Sequence, residues 1–122
     1  MAIIQFEKTS ISDEGRQRKA ALTALTAYQE LKQVIVVDED VNIFGSDHVL
    51  WAMNTRYQGD VSTIFIPGAR CHKDDPSQSP KFNSRLKDYG ITCKATLTVQ
   101  YHLKAKSVLR DCLSWKLIWN GL

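Results

Sequence analysis

"QVIVVDEDVNIFG", residues 33–45, runs four apolar residues into three consecutive acids and then a turn. Val34, Ile35, Val36 and Val37 show no polar alternation, which predicts a strand buried on both faces of a sheet. Such a strand needs a covering layer on each side, and its neighbours supply candidates. Upstream, "AIIQFE" at 2–7 is short and apolar and reads as another strand. Between the two, Ala21, Ala24, Leu25, Tyr28 and Leu31 recur at helical spacing. They predict an amphipathic helix over Asp13 to Lys32 with Ser12 as its N-cap. Strand, helix and strand with short links form a βαβ unit, so the two strands are expected to be parallel, joined by a right-handed crossover.

Downstream, Ser46 is the expected cap of a second helix, "DHVLWAMNTRY", with Asp47 at its positive end. "YQGD" reads as a turn around Gly59, and "VSTIFI" as a third strand. "PGARCHKDDPSQSP", 67–80, lacks periodicity and reads as a functional loop. A short helix over "KFNSRLKDYG" ending at Gly90, a fourth strand "ITCKATLTV" and an apolar helix in "AKSVLRDCLSWKLIWNGL" complete the reading. The expected fold is α/β: a single domain over 1–122, with a mixed sheet of about four strands flanked by helices.

The chain has 122 residues, 43% hydrophobic and 24% charged, which is globular composition. A net charge of +3, spread along the chain without a basic stripe, does not point to nucleic acid. No apolar run approaches the ~20 residues of a membrane helix. "MAIIQFEKTS" has no signal-peptide character, so the expected location is cytoplasmic. Cys71, Cys93 and Cys112 form no C-x-x-C pair and read as reduced thiols.

Chemistry at the acids was weighed next. "DEDVN" opens like a calcium loop, but Ile43 and Val49 stand where the loop needs its glycine and closing glutamate. An apolar strand ending in an acid also holds magnesium in P-loop NTPases, yet the glycines here never form G-x-x-x-x-G-K-[ST]. The remaining reading makes Asp38, Glu39 and Asp40 a structural exit from the strand into the next helix. Cys71, His72, Cys93, His102 and Cys112 lack zinc-site spacing. Activation of Cys71 by adjacent His72 lacks an orienting third group. No catalytic residue and no metal site is expected. In the tail, Trp115 and Trp119 lie four apart near Leu113 and Ile118. That face either docks on the chain's own core or forms an interface with a second copy.

Taken together, Val34 to Val37, Asp38 to Asp40, Val41 to Phe44, Trp51-Ala52 and Thr55-Arg56 resemble the C-terminal domain of the UbiD family of carboxy-lyases, of the hydroxybenzoate and gallate decarboxylase type. "IPGARCHKDDPS", "GITCKATL" and "YHLK" are similar to later family motifs, and the resemblance runs to about residue 104, leaving 105–122 divergent. It implies a non-oxidative aromatic-acid decarboxylase whose prenylated FMN, manganese, potassium and catalytic set lie in a larger N-terminal region. No residue here matches that set. The implied role is therefore assembly and pocket closure, with no cofactor held by this chain and a flavin-binding region on another chain as a possible partner. The resemblance also implies a homodimer, and it places the loop with Gly68, Ala69, Arg70, Cys71, His72 and Asp74 at the substrate pocket. Asp74 stands where relatives commonly carry an apolar residue, which implies a substrate fit that is changed or abolished. The rival reading is a stand-alone oligomerisation or binding module without enzymatic role, and the third is an independent small enzyme using the loop.

Overall fold

A computed structural model describes residues 1–78 and 90–102. Its elements in chain order are β1 (Ala2–Gln5), a 3-10 turn (Ile11–Asp13), α1 (Arg16–Ala27), β2 (Gln33–Val37), α2 (Ser46–Arg56), α3 (Gly59–Ser62), β3 (Thr63–Arg70), a second 3-10 turn (Pro76–Gln78) and β4 (Ile91–Val99). They form one four-stranded mixed sheet in the order β1-β2-β4-β3. β1, β2 and β4 run parallel, and β3 joins β4 antiparallel at the edge.

β2 is covered on both sides, as its unbroken apolar run requires. Val34 and Val36 pack with Ala21 and Leu25 of α1 on one face. Ile35 and Val37 pack with Val41, Val49, Ala52 and Val99 on the other, under α2. Successive strand side chains point to opposite faces, so one strand feeds two cores. β4, expected to alternate, instead lies between β2 and β3 and is buried on both faces.

α1 is shorter than the apolar stripe suggests. Ser12 does not cap it; Gly15 does, in a left-handed conformation with φ +93°. The Asp13 carboxylate is committed upstream, accepting from Thr9 N, Thr9 Oγ1 and Ser10 N, which closes a separate turn before the helix. At the other end Tyr28 leaves the stripe and is 65% exposed, while Leu31 rejoins the core from the link to β2. Ser46 is likewise the first helical residue of α2, and Gly45 its cap. The turn before it is held by Asn42, whose Oδ1 accepts from Phe44 N while its own N–H donates to His48 Nδ1. Gly59 opens the short helix α3 and not a simple turn.

β3 runs on through "PGAR", so the first residues of the expected loop are strand. The register slips between Ile66 and Ala69, where Pro67 and Gly68 sit. Proline cannot donate to a ladder, and Gly68 takes φ +67°, so the irregularity falls on an edge strand that tolerates it. The helix expected at 81–90 and the tail with Leu113, Trp115, Ile118 and Trp119 lie outside the described residues.

Thr96 pairs with Val34 in the middle of the sheet at 1% exposure, and its hydroxyl has no hydrogen-bond partner among the described residues. Thr96→Val keeps the shape and removes a desolvated hydroxyl. It should raise stability by about 1 kcal/mol, read as a higher urea midpoint at unchanged slope. A lower midpoint would show that the hydroxyl is bonded.

Candidate functional site

Two ends of the sheet carry polar side chains in unusual density. At the amino ends of β2 and β4 lies the loop that follows Arg70. Cys71 is buried, with its N–H on Gly90 O at 2.7 Å and its thiol 3.7 Å from Glu30 O. Lys32, just before β2, donates to Asp75 at 2.8 Å and also bonds Ser77 Oγ. Asp75 accepts in addition from Ser77 N and Oγ, an Asx turn of the kind an Asp-Pro-Ser sequence favours. The Lys32 hydrogen bond holds the Asp75 carboxyl down to about 2. Gln78 is fully buried and bridges the loop to the sheet, donating to His72 O and accepting from Gly90 N. A Cβ on Gly90 would meet Arg70 Nη1 at 2.8 Å, so the guanidinium lies directly over this glycine, whose φ is +91°.

The structure thus separates the predicted loop residues into anchors and projections. Arg70 and Cys71 lie against the Gly90 backbone and the α1–β2 link, and Ala69 is half-buried in the strand. Gly68, His72 and Asp74 are exposed, and so is Arg70 although its guanidinium lies over Gly90. His72 Nδ1 is 3.3 Å from both the N–H and the carboxylate of Asp74, while the Cys71 thiol points to Glu30, so the neighbouring thiol and imidazole do not form a pair. Sequence reasoning missed Lys32, Gln78 and Gly90 as the loop's supports. Only the Asp-Pro-Ser turn signalled any of this; nothing in the spacing links Lys32 to Asp75.

At the opposite end, Asp38 leaves β2 into a turn closed by Val41 N on Asp38 O. Arg56, the last residue of α2, reaches back to these acids. Its Nη1 lies 3.0 Å from Asp38 Oδ2 and 2.7 Å from Asp40 Oδ1, and its Nη2 is 2.8 Å from Asp40 Oδ2. The guanidinium also lies over the rings of Trp51 and Tyr101, at 5.2 and 4.5 Å. Burial disfavours its charge, but the Asp40 hydrogen bonds and the Asp40 and Asp38 charges outweigh that and raise its pKa. Around it, Gln5 Nε2 donates to Glu39 O and Val41 O, and Gln100 Nε2 donates to Phe6 O and Val37 O. Buried Lys8 donates to Glu14 and to Tyr101 O.

Open α/β sheets commonly bind ligands in this crevice beyond the carboxyl ends of their strands. Here the chain's own side chains fill it. The acids after β2 form a strand-to-helix junction: Asp38 Oδ2 and both Asp40 oxygens accept from one guanidinium. Among the described residues no three His, Cys, Asp or Glu side chains gather as metal ligands. No helix among them is long and apolar enough to cross a membrane.

Two measurements test the two ends. Arg56→Met leaves the Asp38 carboxylate buried without its cation and should cost about 3–5 kcal/mol in urea unfolding; a loss under about 1 kcal/mol would show that Asp38 is solvated or neutral. At the loop, Asp75 titrates lower folded than unfolded, so its stabilisation is full above the unfolded value and is lost as pH falls. The melting-temperature gap between the native chain and Asp75→Asn should be constant near neutrality and close between about pH 4 and pH 2. A gap independent of pH would contradict the ion pair.

The chain was compared with known proteins. The family model for the 3-octaprenyl-4-hydroxybenzoate carboxy-lyase C-terminal domain matches residues 1–98. A gallate decarboxylase from Lactiplantibacillus plantarum is 43% identical over 107 residues, 85% of this chain and 22% of the relative. The apo structure of a 3,4-dihydroxybenzoic acid decarboxylase from Enterobacter cloacae superposes with a TM-score of 0.82 at 51% identity, covering 87% of this chain and 22% of that one. A UbiD-class enzyme from Pelotomaculum thermopropionicum in complex with FMN gives a TM-score of 0.69 at 30% identity, over 83% of this chain and 20% of its own. The chain therefore spans about one fifth of the length of these relatives. The family model, the sequence identities and the superposition agree: this chain belongs to the UbiD family of carboxy-lyases and corresponds to its C-terminal domain.

Proposed function

We propose that this chain is one domain that serves a non-oxidative decarboxylase of hydroxylated benzoates, contributing assembly and closure of the substrate pocket and not the chemistry itself. The observation that carries this is the half-identical superposition on a 3,4-dihydroxybenzoic acid decarboxylase, together with the gallate decarboxylase relative. Both named activities concern benzoates bearing several ring hydroxyls.

The described residues do not fit a flavin with its metal. Their best-converged acids, Asp38 and Asp40, hold Arg56, and their best-anchored loop presents His72, Lys73 and Asp74 to solvent. A flavin-binding region beyond this chain's match would supply that group. This domain's part is then mechanical. The loop with Gly68, Ala69, Arg70, Cys71, His72 and Asp74 forms one wall of the pocket, fixed at its base by Cys71, Asp75 and Gln78. Asp74 puts a carboxylate on that wall and disfavours apolar ring substituents near it. The same reading places the protein in the cytoplasm as a homodimer, with Leu113, Trp115, Ile118 and Trp119 at the interface.

Incubated with prenylated FMN, manganese, potassium and hydroxybenzoates, the chain by itself should release no CO₂. Substituted for the corresponding segment of the Enterobacter cloacae enzyme, it should restore CO₂ release from a dihydroxybenzoate. Turnover by the isolated chain would overturn the proposal, as would a folded chimera that binds flavin and stays inactive with every hydroxybenzoate tried.

A further inference from the structure

The turn between β2 and α2 is held by backbone N–H groups, and one of them ends on a side chain that titrates. Val41 N donates to Asp38 O at 3.2 Å, Gly45 N to Asn42 O at 3.2 Å and Phe44 N to Asn42 Oδ1 at 3.0 Å. Those acceptors are carbonyl or amide oxygens, which neither gain nor lose a proton in ordinary buffers. Asn42 N instead donates to His48 Nδ1 at 2.9 Å, in the first turn of α2. A backbone N–H can only donate, so Nδ1 is the bare nitrogen of a neutral imidazole and Nε2 carries the proton.

Protonation removes this bond outright. An imidazolium carries hydrogen on both nitrogens, and the one on Nδ1 would meet the Asn42 N–H head-on. Turning the ring over does not help, since neither nitrogen then accepts. The half-buried ring also lies against Trp51, with centroids 5.4 Å apart, and Arg56 sits 5.2 Å over the same indole. The charged groups around it come from two elements. The turn brings Asp38, Glu39 and Asp40, of which Asp38 and Asp40 accept from Arg56, and α2 brings Asp47 and Arg56 itself. The sheet face beneath α2 contributes the apolar Ile3, Ile35, Val37 and Val99.

Asn42 accepts from both Phe44 N and Gly45 N, so a loosened Asn42 loosens the run that leads into α2. That run presents Phe44, at 93% the most exposed large apolar residue among those described. We propose that His48 is a proton-controlled latch on the 42–45 turn. Neutral, it holds Asn42 and fixes the position of Phe44; protonated, it lets the turn go.

The test is NMR of the ¹⁵N-labelled full chain between about pH 8 and about pH 5, the interval in which an imidazole ordinarily changes charge. At the upper end, long-range ¹H–¹⁵N correlations should show His48 with its proton on Nε2. Exchange protection of the Asn42 amide, corrected for its intrinsic rate, should fall roughly fivefold or more by the lower end, the worth of one hydrogen bond. The Val36 amide, inside the sheet, should not change. In His48→Ala the Asn42 amide should be as poorly protected at both ends as the native chain is in acid, while His72→Gln should behave as native. If His48→Ala does not fold, the tautomer and the Asn42 protection of the native chain decide the matter without it. A proton on Nδ1 in the neutral ring, or Asn42 protection that is flat with pH, would overturn the latch. So would a pH response that survives in His48→Ala, since it would belong to Glu39 or Asp47.

Discussion

One guanidinium decides where this chain turns. β2 is apolar on both faces and ends in acids, and an ionised carboxylate at the mouth of a buried strand must be paired or neutralised. Arg56 arrives from the far end of α2 and pairs with both Asp38 and Asp40. That contact ties the last residue of α2 back to the exit of β2, 18 positions earlier. It also gives Tyr101 its two partners, a carboxylate for its N–H and a cation for its ring. A buried ion pair is poor evidence for net stability, since an apolar replacement of the whole group can do as well. Its effect here is geometric: it joins the strand exit, the end of α2 and the residue after Gln100.

The opposite end of the sheet is organised by a different economy. The loop after Arg70 has almost no apolar residues to bury, and its hold comes from hydrogen bonds to the α1–β2 link and to Gly90. Lys32 to Asp75 is half-exposed and screened, so its contribution is modest. Gln78 is the stronger tie, because a fully buried amide with both ends bonded cannot be released without leaving donors and acceptors dry. The result is a loop whose base is fixed and whose outer residues, His72, Lys73 and Asp74, face solvent.

The legible and illegible parts of the sequence divide along the same physical line. β2, α1 and the parallel pairing were readable because burial writes itself as period: no alternation in 34–37, and a helical stripe from Ala21 to Leu25. The family was readable from spaced motifs in order. Helix boundaries were not, since Ser12 and Ser46 both look like caps while Gly15 and Gly45 do the work, and the deciding fact is that Asp13 and Asn42 bond elsewhere. The loop's supports were illegible for a related reason. Lys32, Gln78 and Gly90 are ordinary surface or turn residues in sequence, and their role arises from pairings 43 and 12 positions apart. β3's extension through Pro67 also defied local rules, because an edge strand has one side that needs no donor.

The two ends of the sheet differ in what they leave open. In a doubly covered α/β sheet the carboxyl crevice is the natural place for a ligand, since backbone N–H groups and helix starts converge there. This chain closes that place with Gln5, Lys8, Arg56 and Gln100, each donating to a carbonyl or carboxylate of a neighbouring segment. A crevice filled by internal bonds cannot also hold substrate. Among the described residues, the amino-end loop instead sets exposed side chains on an edge strand, anchored at its base. A wall of that kind can be brought up to a pocket built elsewhere, and its outer residues can change without disturbing the core. Asp74 is such a residue: its side chain is 75% exposed and lies against His72, two residues back in the loop. A charge there changes the loop's outer face while the sheet behind it stays the same.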